Sequence, residues 1–460
     1  MATAQLEADY LIIGAGAQGL AFADVLVNET DASVVITDRH ARPGGHWNDA
    51  YPFVRLHQPS AFYGVNSRTM GDDRIDEVGR NKGMMELASV SEIMAYYDQV
   101  MRHTFLPTGR VTYLPQSDYL GEGKIRNLVT GEENTVTAKK TVDSTYMKVK
   151  VPQVTPPPFK VADGVDCVPP NALEGLYQRQ GVYEHFVVVG AGKTALDTIL
   201  YLMDLGIAPD TLTWIKPRDS WLFDRAMSQP DNFYSTLFMQ AATVAESESL
   251  EEVFERLEGD GGLLRVDRSV KPEMFRCAVI SKAELEDLRK VKNVIRMGRV
   301  TELHPGKIVL EQGTAGVPAN TLFVNCTADG LESRPAVPVF NGNKITIQPV
   351  RTCQQVFSAA FIAFLDRLDM PDAEKNELTV PVPHPDTAED FLGAVEGFMC
   401  NQLKWLGHAE VFKWLVDARL DGIVVPKLAE ELKAGTFTPD MAATLVNGAM
   451  TKITRFRAAA

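Results

Sequence analysis

The sequence predicts an α/β fold that contains two similar β–α–β units and ends in a helical part. Two glycine-rich turns carry this prediction, because each follows a short apolar run and opens a helical pattern: "LIIGAGAQGL" at 11–20 and "FVVVGAGKTAL" at 186–196. A proline-rich stretch, Val151–Asn171, separates the two units. From about Ala388 onwards the spacing of apolar residues is helical.

Length and charge limit the classes of function. At 460 residues the chain is too long for one ordinary core, so two or three domains are expected. A formal net charge of −14 argues against a nucleic-acid partner, which needs clustered lysine and arginine. No apolar stretch reaches the roughly 18 residues of a membrane helix, and "MATAQLEADY" lacks a secretory signal. We expect a cytoplasmic protein without membrane contact whose partners are small molecules; a homo-oligomer is compatible with the sequence.

The chain has five cysteines, which is an odd number, and no two of them are close in the sequence. This spacing fits a reducing cytosol and argues against a disulfide framework and against a CxxC redox centre. The eight histidines form no metal-binding motif and do not cluster with the cysteines. The sequence therefore predicts neither a disulfide nor a metal site.

The first glycine turn has the pattern GxGxxG, formed by Gly14, Gly16 and Gly19. The first glycine allows a tight turn, the second lets backbone N–H groups approach a pyrophosphate, and the third lets helix and strand pack closely. Asp38 ends the next strand about 20 residues later, where a carboxylate binds ribose hydroxyls. This unit is therefore predicted to bind a dinucleotide of the kind held by Rossmann folds.

The residues after this unit carry a family resemblance. Arg39 follows Asp38, and "PGGHW" comes at 43–47. Here the chain resembles the FAD-binding half of flavin-dependent monooxygenases, which include flavin-containing monooxygenases, Baeyer–Villiger enzymes and N-hydroxylases. The resemblance implies that FAD is the first cofactor, that Asp38 and Arg39 contact it, and that Gly45 and Trp47 lie beside its isoalloxazine ring.

The second turn admits two interpretations, because Lys193 and Thr194 also suit the end of a triphosphate-binding loop. Such a loop needs a glycine where this sequence has Val187, inside an apolar strand. The dinucleotide pattern fits instead, with Gly190 and Gly192 forming the turn. It places Lys193 and Thr194 beside the phosphates of the nucleotide.

The strand after the second turn ends in "WIKPR", so that Lys216 and Arg218 stand where Asp38 stands in the first unit. Cations at this place favour the 2′-phosphate of NADP, whereas a carboxylate favours the free 2′-hydroxyl of NAD. NADPH is therefore the predicted second cofactor.

The resemblance also implies how the domains are arranged. "TLFVNCTADGL" (321–331) resembles the strand that returns the chain to the FAD domain, which makes Asp329 a further cofactor contact. Two Rossmann-like domains follow, with the FAD domain split by an inserted NADPH domain. Their predicted limits are 1–165 for the first FAD part, 166–318 for the NADPH domain, and 319–460 for the second FAD part with the C-terminal helices. Within the NADPH domain, residues 219–292 are expected to be mostly helical.

FAD and NADPH together imply hydride transfer from the nicotinamide to the flavin. The segment 44–53 contains no cysteine, which argues against a disulfide reductase. The resemblance implies that reduced flavin reacts with O2 to give a C4a-hydroperoxide, which transfers one oxygen atom to a small organic substrate. An NADPH oxidase or another FAD- and NADPH-dependent dehydrogenase stays open, because the family's linker fingerprint is missing from 151–184. A nucleotide-binding sensor is a third hypothesis.

Three side chains are predicted to act in catalysis. His57 or Gln58, in "VRLHQPS", can hydrogen-bond the peroxide or the nicotinamide, and His46 in "GGHW" is a similar candidate. Histidine titrates near neutral pH, which suits proton handling.

Overall fold

The structure, a computed structural model, describes residues 5–179 and 182–459. It confirms the α/β class, with two large sheets at the centre and helices at the C-terminal end. Residues 1–4, which contribute to the expected absence of a secretory signal, lie outside the described residues. No helix in the two described ranges combines the length and the apolar composition needed to cross a membrane.

The strands, in chain order, are β1 (Gln5–Ile13), β2 (Val34–Thr37), β3 (Val111–Leu114), β4 (Ser117–Gly121), β5 (Lys124–Asn127), β6 (Glu133–Asp143), β7 (Lys160–Val161), β8 (Asp166–Val168), β9 (His185–Val189), β10 (Leu212–Ile215), β11 (Ser220–Asp224), β12 (Leu263–Leu264), β13 (Met274–Ile280), β14 (Asn293–Ile295), β15 (Val300–His304), β16 (Lys307–Leu310), β17 (Gly313–Gly316), β18 (Thr321–Asn325), β19 (Phe340–Asn341) and β20 (Lys344–Thr346). The α-helices are α1 (Ala17–Glu29), α2 (Val90–Gln99), α3 (Lys193–Asp204), α4 (Pro230–Glu246), α5 (Leu250–Gly259), α6 (Lys282–Leu288), α7 (Gln355–Asp366), α8 (Asp372–Leu378), α9 (Ala388–Leu406), α10 (Ala409–Asp417), α11 (Val424–Ala434) and α12 (Pro439–Ala459).

The first sheet has β1 near its middle, in the order β19–β20–β6–β1–β2–β3, with β4 and β5 pairing beside β6. β1 is parallel to β2 and to β6, and its residues Leu11 and Ile12 are fully buried. α1 follows β1 and shares a core cluster with α7. The first glycine turn is therefore held between a buried strand and a buried helix.

The second sheet is parallel throughout, in the order β14–β10–β9–β18–β8, and α3 follows β9. Here the structure differs from the prediction for 321–331, because β18 pairs with β9 and β8 and does not join the first sheet. All five residues of β18 are buried, as a strand covered on both faces requires. The chain therefore rejoins the first sheet only after β18, with β20 and β19, and the predicted domain limits stay a prediction.

The region 219–292 also differs from the prediction. Besides α4, α5 and α6 it contains a three-stranded sheet, β12–β11–β13. The apolar side chains of β11 and β13 pack with α4, α5 and the C-terminal helices α9, α11 and α12 in one core cluster. Burial against distant helices stabilises these strands, and this contribution is invisible in local sequence patterns.

The cysteines differ from the prediction as well. Cys277 in β13 and Cys353, just before α7, form a disulfide although 76 residues separate them, and their Cα atoms lie 6.8 Å apart. The other three, Cys167, Cys326 and Cys400, are free. The absence of a close pair in the sequence was misleading, because the fold brings two distant segments together.

Candidate functional site

The first glycine turn has no room for side chains at Gly14 and Gly19. Gly14 has a φ of +98°, and a Cβ on it would lie 2.8 Å from the Ser144 hydroxyl oxygen. A Cβ on Gly19 would overlap the carbonyl oxygen of Gly14. A side chain at either place would displace the turn or the helix that follows it, so the glycines are structurally required here.

The N-terminus of α1 is suited to a phosphate. Gly16 is its N-cap residue, no side chain caps the helix there, and its first turn contains no acidic residue. The first N–H groups of a helix have no partner within the helix, and the helix dipole adds positive potential around them. A glycine-lined turn with uncapped N–H groups fits the pyrophosphate of FAD, as predicted for Gly14, Gly16 and Gly19.

Asp38 is buried at the end of β2 and supports the first turn. One of its carboxylate oxygens accepts a hydrogen bond of 2.6 Å from the backbone N–H of Ala15, inside the turn. The other accepts from the backbone N–H of His40 and lies 2.8 Å from the Nδ1 of its ring. Arg39, in contrast, is 73% exposed, and its guanidinium lies 3.5 Å from Asp118.

His40 is a residue that the sequence reasoning missed. Its two ring nitrogens lie 2.8 Å from Asp38 and 2.9 Å from Asp49, so that it bridges two carboxylates beside the first turn. The hydrogen bond to Asp38 raises the pKa of His40 to about 9; burial opposes this, and Asp49 adds to it. The only available signal was its place two residues after Asp38 in "TDRH".

We expect this pKa to appear as a pH-dependent stability. Because the pKa of His40 is higher in the folded chain than the ordinary value of about 6.5, its stabilising contribution is complete below that value and is lost as the pH rises through about 9. Replacing His40 with glutamine should therefore flatten the fall of the unfolding temperature between pH 6.5 and 9, measured by thermal unfolding at a series of pH values. His103→Gln, at an exposed histidine, is the control. Equal pH slopes for wild type and His40→Gln would contradict the expectation.

The segment 44–47 lies directly against the first turn. The backbone N–H of Gly44 donates to the carbonyl oxygen of Ala15, and a Cβ on Gly45 would lie 2.7 Å from the Cα of Gly16. Trp47 is partly buried and donates from its indole N–H to the Tyr63 hydroxyl at 2.9 Å. The structure thus brings Gly44 and Gly45 against the glycine turn, and the place of Gly45 and Trp47 beside the isoalloxazine ring stays a prediction.

The second glycine turn is crowded at Gly190 and open at Gly192. Gly190 has a φ of +133°, and a Cβ on it would lie 2.6 Å from the carbonyl oxygen of Cys326. Gly192, the N-cap of α3, has open space around its missing Cβ, and no side chain caps this helix. A nucleotide phosphate can therefore approach the backbone at Gly192.

The aromatic residues that follow "GGHW" connect the two turns. The Tyr51 hydroxyl donates to Asp197 of α3 at 2.7 Å, and Asp197 is ion-paired with Lys193. One turn further along α3, Phe53 stacks on Tyr201 with ring centroids 3.9 Å apart. The start of α3 therefore faces the segment that lines the first turn.

A cleft of about 550 Å³ lies beside this contact, between the first domain and α3. Its walls carry both signs of charge, since Arg80 is paired with Asp204, and Arg225 with Glu284. The remaining charged lining residues are Arg55, Asp76, Lys193 and Asp197. Because lining cations are paired with carboxylates, the cleft has little net charge and favours a polar ligand of low net charge over a polyanion.

The predicted 2′-phosphate ligands are not free cations. Lys216 is 2% exposed and ion-paired with Asp219, which Arg296 also contacts at 2.7 Å. Arg218 is partly exposed and lies 3.0 Å from Asp386. A phosphate bound here would have to compete with these carboxylates, so the preference for NADPH stays a prediction.

The role of Asp329 as a cofactor contact stays a prediction. Its side chain is exposed, and the carboxylate is 3.8 Å from the guanidinium of Arg276 on β13. Thr194 is partly buried in the first turn of α3, next to Lys193.

The candidate catalytic histidines are neutral rather than poised to titrate near pH 7. The Nδ1 of His57 accepts a hydrogen bond of 3.2 Å from the backbone N–H of Val279, and burial with nearby Lys193 lowers its pKa to about 3. Burial also lowers the pKa of His46 to about 4. Enclosure disfavours the imidazolium form of both side chains, so the pKa shifts do not favour proton handling near neutral pH, and a catalytic role for them stays a prediction. They and the partly buried Gln58 remain candidates for neutral hydrogen bonding.

A second feature that the sequence reasoning missed lies next to His57. Cys277, Cys353 and His384 come from three distant segments, and their sulfur and ring nitrogen atoms all lie within 4.8 Å of one another. All three side chains are partly exposed. The sequence predicted no such group, because the three residues share no motif.

Comparisons with known proteins match the first β–α–β unit to a domain family and find relatives of 90% of the chain. Residues 12–64 match the description "NAD(P)-binding Rossmann-like domain". The chain has a TM-score of 0.43 and 16% identity to a flavin-containing monooxygenase from Stenotrophomonas maltophilia, over 76% of this chain and 88% of the other. It is 48% identical over 421 residues to "Uncharacterized protein Rv2000" of Mycobacterium tuberculosis and, equally, to "Uncharacterized protein Mb2023" of Mycobacterium bovis, covering 90% of this chain and 78% of each relative. The chain therefore belongs to the family of these two mycobacterial proteins.

Proposed function

We propose that the protein is an FAD-containing, NADPH-dependent monooxygenase that inserts one oxygen atom from O2 into a small organic substrate. The observation that carries the proposal is the pair of uncapped glycine turns joined through the hydrogen bond between Tyr51 and Asp197. Each turn suits one dinucleotide. The contact between the segments beside the two turns supports the view that two bound nucleotides would lie close enough for hydride transfer.

FAD would be held by the first turn and its neighbours. The uncapped N–H groups at the start of α1, behind Gly16, would face the pyrophosphate, Gly14 and Gly19 would permit the tight turn and the close packing of the helix, and Asp38 would keep the turn in place through Ala15. The flavin supplies two-electron redox chemistry when bound.

NADPH would be held by the second turn. Gly190 shapes the bend and Gly192 leaves the backbone open to a phosphate. Lys193 and Thr194 begin α3 beside it, and Arg218 is the more accessible of the two predicted 2′-phosphate ligands. His57, His46 and Gln58 would contribute neutral hydrogen bonds in a site from which water is largely excluded.

The proposal is tested with the purified holoprotein in two steps. NADPH added without oxygen should bleach the yellow absorption; failure to bleach contradicts every enzymatic hypothesis and favours a nucleotide sensor. Amines, sulfides and ketones are then offered with ¹⁸O2. A product carrying one ¹⁸O atom, formed with coupled NADPH consumption, supports oxygenation. Stoichiometric hydrogen peroxide with every compound offered identifies an oxidase and contradicts the monooxygenase.

A single substitution should separate NADPH binding from FAD binding. Gly192 has ordinary backbone angles, φ −82° and ψ −179°, and open space at its Cβ, so valine fits there without strain. We expect Gly192→Val to raise the KM for NADPH about tenfold or more, about 1.4 kcal/mol, because its side chain occupies the phosphate position. Flavin content should stay at the wild-type level. Gly175→Val, also at an open glycine, is the control, and an unchanged KM in Gly192→Val would contradict the assignment of the turn.

The cofactor preference has its own test at Arg218. Removing a charged hydrogen-bond partner of the 2′-phosphate should weaken NADPH binding by roughly 1.5–3 kcal/mol and leave NADH binding unchanged. We therefore expect Arg218→Ala to raise the KM for NADPH more than the KM for NADH, measured by steady-state kinetics with each cofactor. Arg256→Ala, in a surface ion pair on α5, is the control. Equal effects on both cofactors would remove the 2′-phosphate assignment.

A further inference from the structure

The disulfide between Cys277 and Cys353 joins one segment that contacts the candidate catalytic histidine to another that contacts the helix after the first glycine turn. Cys277 is two residues before Val279, whose backbone N–H donates to His57. Cys353 is two residues before Gln355, whose side-chain oxygen accepts a hydrogen bond of 2.8 Å from Gln18.

Gln18 is in the first turn of α1, the helix that begins at the first glycine turn. Each cysteine is thus two residues away from a group that makes one hydrogen bond: Cys277 is connected in this way to His57, and Cys353 to the start of α1. Flavin chemistry is proposed to take place in this region.

The disulfide has polar neighbours on one side, while Cys277 also packs against the apolar core cluster formed by β11, β13 and the C-terminal helices. The ring of His384 lies within 4.8 Å of both sulfur atoms and offers a nearby proton acceptor or donor. Arg276 precedes Cys277 and is ion-paired with Asp386, two residues after His384. Thiols beside cationic and imidazole groups and open to solvent are the ones that exchange readily, whereas structural cysteines are enclosed in apolar surroundings.

We propose that Cys277–Cys353 is a redox-active disulfide, reduced by NADPH through the bound flavin. This inference rests on the function proposed above. In the balanced step, NADPH, one proton and the disulfide give NADP⁺ and two thiols: the hydride supplies two electrons, the S–S bond breaks, and each sulfur gains a hydrogen. The protein thereby has a second electron acceptor besides O2. The lack of cysteine in 44–53 no longer argues against disulfide chemistry, because the pair comes from two other segments.

The test counts thiols and electrons in the holoprotein without oxygen. Before and after addition of NADPH, samples are quenched in acid, denatured and alkylated with N-ethylmaleimide, and the modified peptides are identified by mass spectrometry. We expect Cys277 and Cys353 to be unlabelled before NADPH and both labelled after it. Full reduction should take about two NADPH per FAD, rather than about one, because flavin and disulfide are each two-electron acceptors.

Two variants show whether the extra electrons go to this disulfide. Cys353→Ser should titrate with about one NADPH per FAD while its flavin is still bleached. Cys400→Ser, at a partly buried free cysteine in α9, should titrate like the wild type. Treatment with dithiothreitol, followed by alkylation, shows that both sulfurs of the wild type can be reduced and labelled.

The outcomes separate the inference from the proposed function. A bleached flavin with the disulfide still intact overturns the inference and leaves the proposed function standing. A flavin that NADPH does not bleach overturns both. Cysteines already labelled before NADPH, or found to hold a zinc ion, also overturn the inference, since the pair would then be a dithiol or a metal site.

Discussion

Replacing Gly19 with alanine should lower the free energy of unfolding by about 3 kcal/mol and leave the purified protein depleted of FAD. A Cβ at this position would overlap the carbonyl oxygen of Gly14, which is backbone and cannot rotate away. α1 cannot retreat either, because it is buried against α7 in the largest core cluster. The measurements are urea unfolding and the ratio of flavin to protein absorbance.

Two further variants separate loss of fold from loss of the cofactor. Gly16→Ala adds a methyl group 3.5 Å from the Cα of Gly45, an ordinary contact, at a φ of −80° that alanine adopts freely. It should keep wild-type stability and still bind FAD more weakly, because the methyl group stands where the backbone approaches the pyrophosphate. Gly259→Ala, at an open position ending α5, should change neither property. Full FAD content in Gly19→Ala would contradict the assignment of the first turn.

Removing the carboxylate of Asp421 should destabilise the protein by about 3–5 kcal/mol. Asp421 and Arg351 are both fully buried and form an ion pair of 2.6 Å, and the Arg351 guanidinium also donates to the Asp421 carbonyl oxygen and lies over the ring of Phe357. This pair joins the entry of α7 to the segment before α11. In Asp421→Ala the guanidinium would stay buried without its counter-charge. Chemical unfolding at 25 °C measures the loss.

A compensating variant distinguishes the unpaired charge from lost packing. Arg351→Met with Asp421→Val removes both charges and should recover part of the stability lost in Asp421→Ala, because apolar side chains of roughly similar total volume replace a buried pair. Lys452→Ala, which breaks an exposed pair with Glu248, should cost less than about 1 kcal/mol. Equal stability of Asp421→Ala and Lys452→Ala would show that burial does not govern this pair.

Sequence patterns were sufficient where the chemistry is local. Gly14, Gly16 and Gly19, and again Gly190 and Gly192, lie at the turns where their spacing placed them, because a strand, a tight bend and a helix N-terminus are built from consecutive residues. The neighbouring Gly44 donates its backbone N–H to Ala15 in the first turn. The roles of all these residues toward cofactors stay predictions.

Sequence patterns were insufficient where distant segments meet. The sequence pattern indicates a free cation at Lys216, after a strand. In the structure Lys216 is ion-paired with Asp219, which Arg296 also contacts. His57 reads as a titratable group, but burial beside β13 keeps it neutral. Exposure and local charge set a pKa, and neither is encoded in the neighbouring residues alone.

The amino-acid sequence by itself determined that this protein has two dinucleotide-type turns in an α/β fold, since each turn depends on glycines within a few residues of one another. Only the tertiary structure decided which sheet β18 joins, that Cys277 meets Cys353, and that His40 bridges Asp38 and Asp49. The disulfide joins residues 76 positions apart, His40 meets Asp49 nine residues further along the chain, and the pairing of β18 depends on strands more than a hundred residues away. Their energies come from burial and pairing across the folded core, which no local pattern records.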